Sequence, residues 1–167
     1  MQPQQPDDIP SDTRDLTIAI VTSRYHGNVT EALRDGAVEA FTSAGGDPGS
    51  LVHVVAPGAF ELPVLCRYCC LGEAIDRPDG IVAIGCVIRG ETTHDQHINQ
   101  AVSNQLAALA METGIPLGLG VLTCESMEQA MARAGGDKGN KGVEAMHAVL
   151  QTIASMRSLG VQADKPA

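Results

Sequence analysis

The sequence predicts a three-layer, doubly wound α/β fold of the flavodoxin-like type, with four parallel strands and helices on both faces. Three observations predict it. Four short runs rich in Val, Ile and Leu recur along the chain, each apolar on both sides, as a strand buried between two layers must be. Stretches with apolar residues at three-four spacing lie between them, the pattern of helices that cover a sheet. The resulting order, βαβαβαβαα, closes into one parallel sheet when every crossover is right-handed.

Taken in order, residues 1–15 begin Met1-Gln2-Pro3-Gln4-Gln5-Pro6-Asp7-Asp8 and read as a solvated tail, with neither the basic nor the apolar region of a secretory signal. The first strand is Leu16–Thr22. Val29, Ala32, Leu33, Gly36, Ala37, Ala40 and Phe41 then form one apolar stripe, ended by Gly45-Gly46. The second strand, Leu51–Val55, is followed by a helix carrying Leu62, Leu65, Cys66 and Cys69. The third, Ile81–Val87, precedes a helix carrying Ile98, Val102, Leu106 and Leu109. After the fourth, Leu117–Leu122, Ser126 with Gln129 forms a capping box for a short helix. A last helix runs from about Val143 through Met146, Leu150 and Ile153. The domain therefore spans 16–160, with 161–167 as a C-terminal tail.

The chain has 167 residues, 44% hydrophobic and 19% charged, which suits one globular domain of ordinary composition. Its net charge of −9 argues against a nucleic-acid partner, which asks for a basic footprint, and against an anionic membrane surface. No apolar run approaches the roughly 20 residues of a membrane span. Of the five cysteines, Cys66, Cys69 and Cys70 cluster, but no second ligand pair stands at zinc-site spacing. They are read as small apolar side chains of a helix rather than as metal ligands, and a reducing cytoplasm fits.

In open parallel sheets ligands bind beyond the carboxyl ends of the strands, and the unusual residues gather there. Ser23-Arg24-Tyr25-His26-Gly27-Asn28 follows the first strand and Pro57-Gly58-Ala59-Phe60-Glu61-Leu62-Pro63 the second. Arg89-Gly90-Glu91-Thr92-Thr93-His94 follows the third, and Thr123-Cys124-Glu125-Ser126 the fourth. In the third loop Gly90 permits a tight path, Thr92 or Thr93 is a natural N-cap, and the amides and dipole of the next helix make an anion site. A well-capped helix without a ligand is the alternative. His94 shifts that balance, because only histidine titrates unperturbed near neutral pH, and in the first turn of that helix it can serve as a general acid or base. His97 and His147 read as solvated or packing residues, and His53 as structural. Phe60 and Glu61, with Tyr25 alongside, offer a flat ring face and a carboxylate suited to a planar heterocycle; an ordinary connection with a core Phe is the plainer reading. The run Arg133-Ala134-Gly135-Gly136-Asp137-Lys138-Gly139-Asn140-Lys141-Gly142, basic within an acidic chain, can supply guanidinium to a phosphate. It lacks the Gly-Lys-Ser/Thr ending of a P-loop, and no Gly-x-Gly-x-x-Gly follows the first strand.

Pro57 to Pro63, Gly85-Cys86-Val87-Ile88-Arg89-Gly90-Glu91-Thr92-Thr93-His94, and Arg133-Ala134-Gly135 followed by Gly139-Asn140-Lys141-Gly142 together closely resemble the 6,7-dimethyl-8-ribityllumazine synthase family. The resemblance covers about Leu16 to Leu159. It implies a transferase of riboflavin biosynthesis that condenses 5-amino-6-(D-ribitylamino)uracil with 3,4-dihydroxy-2-butanone 4-phosphate, through imine formation, phosphate elimination and ring closure. No metal or organic cofactor is implied. By resemblance Tyr25 stacks on the pyrimidine, and Ala59, Phe60, Glu61, Cys86, Val87 and Ile88 line its pocket. Glu91 and Thr92 hold the butanone phosphate through their backbone, Arg133 pairs with it, His94 is the proton donor, and Lys141 supports. The family's sites are shared between neighbours of a homopentamer, so that Leu119 and Arg133 come from the adjacent subunit. Decamers or sixty-subunit shells follow from the same resemblance, as does riboflavin synthase as a partner. Two positions depart from the family pattern: Tyr25 stands for Phe or Trp, and Leu119 for Phe. The alternative is a non-catalytic paralogue that binds a lumazine or flavin; a flavodoxin-like electron carrier fits less well, because Ser23-Arg24-Tyr25-His26 lacks a hydroxyl-rich phosphate loop.

Overall fold

A computed structural model describes residues 12–73 and 75–160 of the chain. The predicted tails lie largely outside these residues. The elements are β1 (Ile18–Ser23), α1 (Gly27–Ser43), β2 (Leu51–Ala56), α2 (Leu62–Leu71), β3 (Gly80–Ile88), α3 (His94–Thr113), β4 (Leu117–Cys124), α4 (Met127–Ala132), β5 (Ala134–Gly136), β6 (Gly139–Asn140) and α5 (Lys141–Ser158). Short 3₁₀ turns at Pro48–Ser50 and Ala59–Glu61 complete them.

The main sheet is wholly parallel, in the order β2-β1-β3-β4, and bears out the predicted fold class. Strand pairing explains how the layers divide. Ile18 and Ile20 of β1, Val82, Ile84 and Cys86 of β3, and Leu122 and Cys124 of β4 share one face and pack with α1, α4 and α5. Ala19, Val21, Ile81, Ala83 and Val87 share the other and pack with α2 and α3. The alternation of side chains along each strand sends successive residues to opposite layers, so β1 and β3, between two apolar layers, must be apolar throughout. Every residue of β1 and all but the last of β3 are buried.

The edge strands are each left half covered. On β2, His53 and Val55 are exposed on the α1 face. On β4, Leu119 and Thr123 are exposed on the α3 face.

Two local differences from expectation have physical causes. The expected capping box is present in altered form: Ser126 Oγ accepts from the Gln129 amide at 3.3 Å, but Gln129 Oε1 accepts from the amide of Glu125, not Ser126, at 3.1 Å. The Gly-rich run after α4 folds as an antiparallel β5–β6 hairpin. Asn140 then anchors α5: its Oδ1 accepts from the amides of Gly142 (2.8 Å) and Val143 (3.3 Å), while Nδ2 donates to the Ala32 carbonyl of α1 at 3.0 Å. A Cβ at Gly36 would strike the Asn140 side chain, and one at Gly142 the Leu33 carbonyl. Glycine at both positions lets α1, the hairpin and α5 meet this closely.

Candidate active site

The chain leaves β1 for β2 on one side and β3 for β4 on the other, so the connections after β1 and β3 diverge. A crevice opens between them at the carboxyl ends of the strands. It holds a pocket of about 410 Å³. Its walls come from four places: Tyr25 and His26 after β1; Gly58, Ala59, Phe60 and Glu61 after β2; Cys86, Val87 and Ile88 at the end of β3; and Gly90, Thr92, His94, Asp95 and Ile98 at the entry to α3.

Burial divides these residues by role. Ala59, Cys86 and Val87 are buried and form the apolar floor. Tyr25 and Phe60, 67% and 62% exposed, stand at the rim as ring faces. Glu61 is half-buried at the start of α2, and the absent Cβ of Gly58 leaves room for its carboxylate, whose Oε2 would lie 3.0 Å from that carbon. Cys86 contributes wall and no nucleophile, since burial, and then the neighbouring Cys124, push its thiol up to about 12.

His94 is the first residue of α3 and is exposed. The N-cap is Thr93, whose side chain makes no capping bond; instead Thr92 Oγ1 accepts from the His94 amide at 3.4 Å. The path at Gly90 is ordinary. Its backbone is not left-handed, and a Cβ there would meet open space, so no tight turn requires glycine at that position. Arg89 ties this loop to the one after β4, with Nη1 donating to the Glu125 carboxylate at 3.2 and 3.3 Å; both side chains are exposed, and such pairs contribute little.

Four residues carried over from the resemblance do not line the pocket. Glu91 is exposed in the loop beside it. Leu119, 44% exposed, is the third of the eight residues of the edge strand β4. Arg133 follows α4, in the layer opposite α3, and its Nη1 donates to the Gln129 carbonyl at 3.2 Å. Lys141 opens α5 with Nζ donating to Glu144 Oε2 at 2.7 Å. Two residues join the site that sequence reasoning had not given a role. His26 follows Tyr25 directly. Asp95 follows His94, and its Oδ1, like Asn99 Oδ1 one turn later, is buried with no hydrogen-bond partner among the described residues. Adjacency to Tyr25 and to His94 was the only signal either offered. A second cavity of about 420 Å³ lies between α1 and β2 and is lined by Arg24, Arg34, Thr22 and His53; it has neither a tyrosine or phenylalanine ring nor any of the residues at the entry to α3.

Known proteins resemble this chain over most of its length. The sequence profile of 6,7-dimethyl-8-ribityllumazine synthase matches residues 15–157. A protein of that name from Streptomyces coelicolor is 43% identical over 147 residues, covering 87% of this chain and 88% of the relative. One from Rhodopirellula baltica is 41% identical over 138 residues, covering 81% and 86%. One from Desulfovibrio desulfuricans is 38% identical over 148 residues, covering 89% and 93%. The chain belongs to the 6,7-dimethyl-8-ribityllumazine synthase family.

Proposed function

We propose that the pocket at the β1/β3 crevice holds the pyrimidine of 5-amino-6-(D-ribitylamino)uracil while His94 moves the proton of the condensation. As a member of its family the protein is a transferase of riboflavin biosynthesis. It joins that pyrimidine to 3,4-dihydroxy-2-butanone 4-phosphate and releases 6,7-dimethyl-8-ribityllumazine, phosphate and water. The observation that carries the site assignment is the convergence of two ring faces, Tyr25 and Phe60, with Glu61 and His94 around one pocket.

In this reading the rings take the faces of the heterocycle, and Glu61 accepts from its N–H groups. The amine of the pyrimidine adds to the ketone of the butanone phosphate and water leaves to form the imine. His94 supplies the proton that accompanies departure of phosphate, which the Glu91 and Thr92 backbone and Arg133 receive; the ribitylamino nitrogen then adds to the remaining carbonyl, and a second water leaves as the ring closes. Arg133 and Leu119 reach the pocket from a neighbouring copy, and Lys141 has a supporting role. That they do not line this chain's own pocket, and that Leu119 is exposed, supports a shared site. A homopentamer, alone or built into a decamer or sixty-subunit shell, provides that neighbour. The same reading puts the protein in the cytoplasm, with riboflavin synthase consuming its product.

The test is to mix the protein with both substrates and follow the lumazine chromophore; no product from folded protein at saturating substrate refutes the assignment. His94→Ala is expected to slow turnover by about 10²-fold, the low end for general acid–base groups, as for loss of a single proton donor that water replaces. Pyrimidine binding should survive in that variant, and its collapse would remove His94 from the proton-donor role. A riboflavin titration beside the assay separates the enzyme from a binding paralogue.

A further inference from the structure

Tyr25 is placed to stack on the substrate, yet with two-thirds of its surface exposed it has little core packing to hold its ring. The aromatic contact it makes is with the next residue: the His26 ring lies edge-on, with centroids 4.8 Å apart and planes at 78°. Such pairs are favourable beyond simple burial. His26 is itself held. It is the only non-glycine among the described residues with positive φ, at φ 56° and ψ 52°. That left-handed conformation is costly for residues with a side chain, and histidine is among those that adopt it more often. Its carbonyl accepts from the amides of Val29 at 2.9 Å and Thr30 at 3.0 Å and from Thr30 Oγ1 at 3.4 Å. Val29 and Thr30 are buried in the first turn of α1. The helix thus anchors the histidine backbone, and the imidazole braces the tyrosine.

From this chain of contacts we infer that His26 is a positioning residue: it orders the Tyr25 ring before substrate arrives, so that binding does not bear the full cost of immobilising an exposed side chain. The inference rests on the reading of the pocket as the pyrimidine site. It adds a residue to that site for which the family resemblance supplies no role.

The experiment uses the full chain in a Tyr68→Phe background. With two tyrosines and no tryptophan in the sequence, Tyr25 is then the sole fluorophore, and Tyr68, on α2, does not line the pocket. His26→Asn keeps a residue that tolerates the left-handed backbone and removes the ring; His26→Gly does the same should the first variant fold poorly. The expected result is faster depolarisation of Tyr25 fluorescence and a KM for the pyrimidine substrate raised about two- to tenfold, the scale of one aromatic pair, with kcat nearly unchanged. In a Tyr25→Leu background the same substitution should add almost nothing to KM. Unchanged depolarisation, or an equal rise in KM without Tyr25, overturns the inference. An inactive parent protein whose Tyr25 still loosens on His26→Asn would retract the proposed activity and leave the ring-bracing role standing.

Discussion

Cys86 shows how a residue in the middle of a candidate site can be chemically silent. It faces the pocket, yet burial raises its thiol to about 12. Cys66, Cys69, Cys70 and Cys124 are raised as well, with burial the first cause in each. All five are free and buried, as expected of core thiols. The sign of the pH effect follows from linkage. A thiol that ionises from its ordinary value of 9.0 in the unfolded chain but only above it when folded contributes stability that is complete below pH 9.0 and is lost as pH rises through the folded value. The urea midpoint should therefore hold from pH 7 to 8.5 and fall beyond 9, each such thiol contributing up to about 1.4 kcal/mol per pH unit. Cys86→Ala should flatten that slope. A midpoint level to pH 10.5 would show that the buried thiols are not the titrating groups. At this scale the sequence revealed Tyr25, Phe60, Glu61 and His94 by residue type and loop position. It did not reveal His26 and Asp95, because what matters about them is a backbone angle and an unpartnered oxygen.

The four long strands and four of the helices could be read from hydrophobic period and α4 from its capping residues, and the strand boundaries shift by two residues or fewer at every end. The β5–β6 hairpin could not. Its strands are Ala134–Gly136 and Gly139–Asn140, too short and too poor in β-branched residues to show an alternating pattern. Its course rests on Gly135 at φ 111° and Gly139 at φ 79°, so a run that reads as a phosphate-binding candidate also builds the cap of α5. Asn140 is the center of that junction. Asn140→Ala should lower stability by about 1–2 kcal/mol through loss of the cap, and Asn140→Asp, which keeps the acceptor but loses the donor to Ala32, by less. Urea unfolding of both variants measures this, and an alanine variant as stable as the parent would mean the junction is held by packing alone. Packing also decides what chain order could not. Leu119 and Arg133 lie on opposite faces of the sheet, a relation that appears only when strand order and register are known.

At the scale of the whole molecule, no helix among the described residues is long and apolar enough to cross a membrane. Each chain carries a charge of −9. In the shared-site arrangement proposed above, copies must bring these charges together, and salt screens them, over about 30 Å at 0.01 M but only about 8 Å at 0.15 M. Sedimentation at fixed protein concentration should show more of the assembled form at 0.15 M salt than at 0.01 M; an unchanged distribution would mean that long-range repulsion plays no part. The two half-covered edges bear on the geometry of such contacts. His53 and Val55 lie on one edge and one face, Leu119 and Thr123 on the opposite edge and the opposite face. A twofold contact sets a patch against itself and so covers one of these surfaces while leaving the other in water. A contact that covers both must set unlike patches together, head to tail. Each added copy then repeats the same rotation, and the series ends only when that angle divides the circle evenly; a small error in it would give a filament instead of a ring.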